Sequence, residues 1–191
     1  MAQTASSAEQ AESLESILDS MTPSELRVLS LIASGASDET ITKIMINDIK
    51  TVNIETVGSY VTSIFSQLQI AGNPDYDQRT RAAFLYWEMH PEEKKQLQDR
   101  LFANARIEPL TSKEYRVYDF MAQGYSNACI AGRLSLNRID KRDITNIYGK
   151  LYVNYYKGSD PRVMAMLMFD MVPQPNGSKP KGPNLVQLGR K

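Results

Sequence analysis

Along the second half of the chain, apolar residues recur with the 3.6-residue period of helices that turn one face to a core. Val117, Phe120 and Met121 fall at i, i+3 and i+4. Ile130, Ala131 and Leu134 make a second set, and Ile144, Ile147, Tyr148 and Leu151 a third. Thr111 with Glu114 has the spacing of a capping box, so a first helix is predicted from about Ser112, ending at Gly124 as a left-handed cap. Ser126 caps a second helix, Ser135 to Ile139 is a turn, and a third helix is predicted from about Asp140 to Val153. Three short helices in this order make a helix-turn-helix pattern.

The same pattern occurs earlier. Thr22, Pro23, Ser24 and Glu25 repeat the order of Thr111 to Glu114, and Val28, Leu29, Leu31 and Ile32 lead to Gly35. Thr22 to Gly35 spans 13 residues, as does Thr111 to Gly124. Ser37, Ile41 and Ile44 or Met45 continue the match. A third helix is predicted from Thr56, with Val57, Tyr60, Val61, Ile64, Phe65 and Leu68 inward, and Leu68-Gln69-Ile70 echoes Leu151-Tyr152-Val153. Fourth helices are expected over Asp77 to Met89 and Pro161 to Met171. The predicted fold is all-α: two consecutive four-helix helix-turn-helix units, 21–89 and 110–171, offset by about 89 residues. A linker helix in 90–109 carries Leu97, Leu101, Phe102 and Ala105 on one side. At the N-terminal end, 1–20, residues 1–7 are read as disordered and Glu9 to Ser20 as a short acidic helix, whereas the Pro- and Gly-rich tail 172–191, made basic by Lys179, Lys181, Arg190 and Lys191, lacks the apolar surface to fold alone. The face of Leu14, Ile17, Leu18 and Met21 is expected to pack on the unit that follows.

These residues resemble the LuxR/NarL (GerE-like) DNA-binding domain. The resemblance rests on Leu110-Thr111, Glu114, Gly124, Ser126-Asn127, Ile130-Ala131 and Leu151-Tyr152-Val153, and covers roughly two thirds of the chain through its two copies. The turn before the third helix is about one residue shorter than the family's, with Ile139-Asp140 where the family tends to have Thr-Val. The resemblance implies double-stranded DNA as a partner, and leaves open a homodimer through the fourth helices, which commonly carry the family's dimer contact.

Charge separates the two copies. The 22 Lys and Arg balance 22 Asp and Glu, yet up to Pro109 there are 9 cations and 16 anions, a balance of −7, and from Leu110 there are 13 and 6, a balance of +7. On the later third helix Lys141, Arg142, Thr145, Asn146 and Lys150 lie on or beside the outward face, the mixture that major-groove reading requires. The helix start at Ser126 and Asn127 is a candidate phosphate anchor. The earlier third helix turns Thr56, Ser59, Thr62, Ser63, Ser66 and Gln67 outward without a Lys or Arg, and Asn47 to Glu55 is about five residues longer than the family turn. Phosphate neutralisation supplies most non-specific DNA affinity, so this copy is expected to make protein contacts, through Ser59, Thr62, Ser63 and Gln67.

Two functions stay open. One is a DNA-binding transcriptional regulator; the other is a non-enzymatic adaptor on a transcription factor or RNA polymerase. The sequence holds no Gly-rich phosphate loop and no nucleophile–base constellation. With one Cys129 and one His90 it has no Cys/His metal cluster, so neither catalysis nor a cofactor is expected. Cys129 is read as a structural thiol, Tyr148 and Tyr152 as core or rim, and Met164, Met166, Met168 and Met171 as packing. The polar start and the lack of an apolar run of about 20 residues point to a cytoplasmic protein without a membrane span.

Overall fold

In a computed structural model of the chain, residues 14–48, 52–103, 105 and 107–175 are described. The protein is all-α, and β structure among the described residues is confined to two isolated bridges. Residues 14–20 are helical (α1). There follow α2 (Pro23–Ala33), α3 (Asp38–Asp48), α4 (Ile54–Gln67), α5 (Gln78–Met89), α6 (Pro91–Phe102), α7 (Ser112–Ala122), α8 (Asn127–Arg133), α9 (Lys141–Lys150) and α10 (Pro161–Leu167), with 3-10 turns at Val153–Tyr155 and Phe169–Met171. The start of the short acidic helix expected from Glu9, and the basic tail with Lys179, Lys181, Arg190 and Lys191, lie outside the described residues.

Helix starts in the two halves repeat in atomic detail. The Glu25 N–H donates to Thr22 Oγ1 at 3.3 Å and the Thr22 N–H returns to Glu25 Oε2 at 2.8 Å. At Thr111 and Glu114 the same pair measures 3.2 and 2.7 Å. Gly35 and Gly124 follow α2 and α7 with φ of +88° and +83°. The third helices end alike, because Gln69 and Tyr152 adopt left-handed φ of 56° and 59°. That conformation stops α9 at Lys150, short of the Val153 expected from periodicity alone. At the other end, the Asn53 side chain accepts the Thr56 N–H at 2.8 Å and starts α4 two residues early. Likewise α10 ends at Leu167 and a 3-10 turn carries the chain on through Met171.

The fourth helices lie at the centre. On α5, Thr80, Arg81, Ala82, Ala83, Phe84, Leu85 and Trp87 are buried, and on α10 every residue from Arg162 to Leu167. Helices with no solvent stripe have core on more than one side. Ala82 and Leu85 face an earlier apolar cluster with Val28, Ile32, Ile41 and Ile64, whereas Ala83 and Trp87 join a later one with Tyr118, Ile147, Val163 and Leu167. Trp87 Nε1–H donates to Ala33 O at 2.7 Å, and Tyr118 O–H to Ala165 O at 2.8 Å. Leu18 and Met21 are buried in the earlier cluster, as the apolar face of that segment predicts. Val172, assigned from sequence to the tail, is buried in the later one.

The halves are joined by a reciprocal seam. Asp77 N–H donates to Gly124 O at 2.9 Å and Ser126 N–H to Asp75 O at 2.8 Å; in mirror fashion Asp160 N–H donates to Gly35 O at 2.7 Å and Ser37 N–H to Gly158 O at 2.9 Å. Bridges Ala36 to Ser159 and Tyr76 to Tyr125 complete it. Arg79 Nη1 pairs with Asp38 Oδ1 at 2.7 Å while its Nε lies 3.7 Å from Asp160. Its counterpart Arg162 donates from Nη1 to Asn127 Oδ1 at 2.9 Å and lies 3.7 Å from Asp77. Tyr76 stacks on Tyr125 with centroids 5.5 Å apart, between the guanidinium of Arg81 at 4.8 Å and that of Arg133 at 4.2 Å.

Because α5 and α10 pack on each other inside one chain, the face expected to serve a homodimer is occupied. The linker helix α6 also differs from a free spacer. Leu97 and Phe102 enter the later core, Gln98 Nε2 donates to Leu167 O at 2.6 Å, and Lys94 pairs with Asp170 at 2.7 Å.

Candidate nucleic-acid interface

On α9 an apolar face and a polar face are separated along the helix. Asp140 caps it by accepting the Arg142 N–H at 2.9 Å, and Ile147 is wholly buried with Ile144 and Tyr148 packed beside it. Burial pushes the Tyr148 phenol up to about 12. Lys141, Arg142, Thr145 and Asn146 are all exposed, at i, i+1, i+4 and i+5 of one stripe. Thr145 O–H donates back to Lys141 O at 2.9 Å, which leaves its methyl and oxygen lone pairs outward. Arg138, exposed in the turn before α9, adds a cation that the helical period does not flag, because it lies before the cap. Lys113 on α7 pairs with Asp143 at 2.8 Å while staying exposed, and Arg116 lies one helical turn further along α7.

Lys150 does not join this stripe. It lies one helical turn beyond Asn146, at the edge of the stripe next to α7. There its Nζ sits 2.7 Å from Glu114 Oε2, with side chains 26% and 10% exposed. Burial raises the Glu114 carboxyl, but the Lys150 ammonium and the Thr111 N–H outweigh it and hold the group below its ordinary value. Ser126 and Asn127 belong to the seam as well. Ser126 O–H donates to Pro74 O at 2.6 Å and its oxygen accepts the Cys129 N–H at 3.2 Å, while Asn127 Oδ1 accepts from Arg162. The start of α8 thus meets the 73–77 segment of the other half, and the side chains of both residues are engaged in the protein.

On α4 the expected partner face splits. Ser59 and Thr62 are exposed, their hydroxyls donating to Glu55 O and Gly58 O at 3.0 and 2.9 Å. Ser63 and Gln67 turn inward and donate to Glu25 Oε1 at 2.6 and 2.9 Å. The Ser63 hydroxyl and the Thr22 backbone N–H draw the Glu25 carboxyl below its ordinary value. With Leu68 set on Leu151, Gln67 matches Lys150, Ser63 matches Asn146, and Gly58 and Ser59 match Lys141 and Arg142. The same count sets Glu55, in the first turn of α4, against Arg138 in the turn before α9. Both buried capping-box carboxylates are therefore satisfied from the third helix, by neutral donors in one half and by an ammonium in the other. Ile46 on α3 and Ile54 at the start of α4 are 43% and 49% exposed.

The remaining candidates are structural. Cys129 is half-exposed and its sulfur accepts from Arg133 Nε at 3.4 Å. Tyr156 O–H donates to Leu101 O and its ring meets Phe102 edge-on. Met164, Met166 and Met168 are buried, whereas Met171, also expected to pack, is 36% exposed. Among the described residues, no helix is long and apolar enough to cross a membrane. Comparison of the chain with protein-family models, curated proteins and solved structures finds no match.

Proposed function

We propose that the protein is a DNA-binding transcriptional regulator built from two LuxR-like helix-turn-helix units, with α9 as its reading helix. The observation that carries this is the stripe Lys141, Arg142, Thr145 and Asn146, exposed on a helix anchored along its whole opposite face. Lys141 and Arg142, with Arg138, meet phosphates or guanine edges; the Asn146 amide has the donor and acceptor that adenine presents in reverse; Thr145 offers a methyl to thymine. Lys150, Ser126 and Asn127 hold the scaffold and leave the contact set. Neutralising two to four phosphates gives a salt slope of roughly −2 to −4. The test is titration of labelled duplex at several salt concentrations. Lys141→Ala/Arg142→Ala is expected to weaken binding and lower the slope by about 2, and unchanged binding would count against the reading.

A second reading, a protein-interaction adaptor for a transcription factor or RNA polymerase, draws on a different observation. Ile46 on α3 and Ile54 on α4 are exposed large apolar residues on the acidic half, and α4 also exposes the uncharged Ser59 and Thr62. In that case Ile54→Lys abolishes partner binding and Lys141→Ala/Arg142→Ala does not.

A further inference from the structure

Resting on the DNA reading of α9, the seam and the inequality of the two third helices carry one step more. A two-fold dimer presents the same surface twice, which is why such proteins read sites with dyad symmetry. Here the two-fold relation is internal. The reciprocal bonds of Asp77 to Gly124 and Asp160 to Gly35 tie the halves together, and their backbones approach closely. A Cβ on Gly35 would fall 2.6 Å from Met164 Sδ, and one on Gly124 would fall 2.8 Å from Arg81 Cα. The fourth-helix face that could recruit a second chain is thus consumed. The arm that takes the partner's place is α4, which offers Gly58 and Ser59 where α9 offers Lys141 and Arg142, and carries Glu55 where the count along the chain reaches Arg138 in the turn before α9.

We propose that the ligand is a duplex carrying one non-palindromic half-site, bound by a single chain. Three cation positions on the reading side become two neutral residues and one anion on the other, so phosphate neutralisation is one-sided and a dyad-related second half-site gains nothing. Nor does a second copy join through α5 and α10, because those helices already face each other.

The experiment uses the full chain in two steps: selection of bound sequences from a random duplex pool, then native mass spectrometry of the complex with a selected duplex across protein concentrations. The expected result is one motif without inverted repetition and a complex of one chain per duplex throughout. An inverted repeat, or two chains loading cooperatively on one duplex, would overturn the inference while leaving α9 as the reader. Enrichment of no duplex at all would remove the DNA reading and the inference with it.

Discussion

Lys150 and Lys141 lie on the same ten-residue helix, one paired with Glu114 and the other exposed, so under the proposed function substitutions at the two should separate cleanly. Lys150→Ala leaves the Glu114 carboxylate, 10% exposed, without its 2.7 Å ammonium partner. Loss of a hydrogen bond to a charged group of this burial costs about 1.5–3 kcal/mol. For a protein of this size that lowers Tm by roughly 3–12 °C. Lys150→Gln restores a neutral donor like that of Gln67, which reaches Glu25 at 2.9 Å in the other half, and should recover most of the loss. Lys141→Ala/Arg142→Ala, both exposed, should move stability by less than about 0.5 kcal/mol. Equilibrium urea unfolding reads stability, and duplex titration against salt reads function. Lys150→Ala with native stability and a shallower salt slope would refute the assignment of Lys150 to the scaffold.

Other outcomes follow from the seam and the caps. Gly124→Ala forces a side chain onto a φ of +83° and into the Arg81 backbone, which should cost about 2–5 kcal/mol. Gly132→Ala, inside α8 with open space around it, should stabilise by up to about 1 kcal/mol; differential scanning calorimetry of the two distinguishes them. The Glu25 and Glu114 carboxyls are held below their ordinary values. Their contribution is therefore present above the ordinary carboxylate range and is lost as pH falls through the depressed folded values. Acid titration of unfolding should show stability falling below about pH 4.5, with that fall reduced in Glu114→Gln. Arg162→Ala removes the bond to Asn127 and the pairing with Asp77 and should cost about 2–4 kcal/mol. A loss below 0.5 kcal/mol by urea unfolding would show that the seam adds little.

Much of the fold could be read from residue order because its local signals agree. The capping boxes at Thr22 and Thr111, the glycines 13 residues on, and the 3.6-residue apolar sets place the first helix of each half. The exchange between halves was not legible from periodicity, since it depends on contacts between segments far apart in the chain, such as Asp77 with Gly124 and Asp160 with Gly35. One signal for it does stand in the sequence: Asp77-Gln78-Arg79 and Asp160-Pro161-Arg162 repeat an Asp-x-Arg ahead of both fourth helices. These are the residues that cap those helices and cross the seam. The candidate site was legible in part. Lys141, Arg142, Thr145 and Asn146 are exposed together. Lys150, Ser63 and Gln67 turn inward because a buried glutamate in the first helix of each half needs donors, a demand that no helical projection of the third helix alone reveals.

The central claim is that α9 meets DNA through Lys141 and Arg142. Measuring duplex affinity against salt for the native chain and for Lys141→Ala/Arg142→Ala tests it most directly. The account predicts a native slope of roughly −2 to −4 that falls by about 2 in the variant; equal slopes, or a native chain that binds no duplex at low salt, would contradict it.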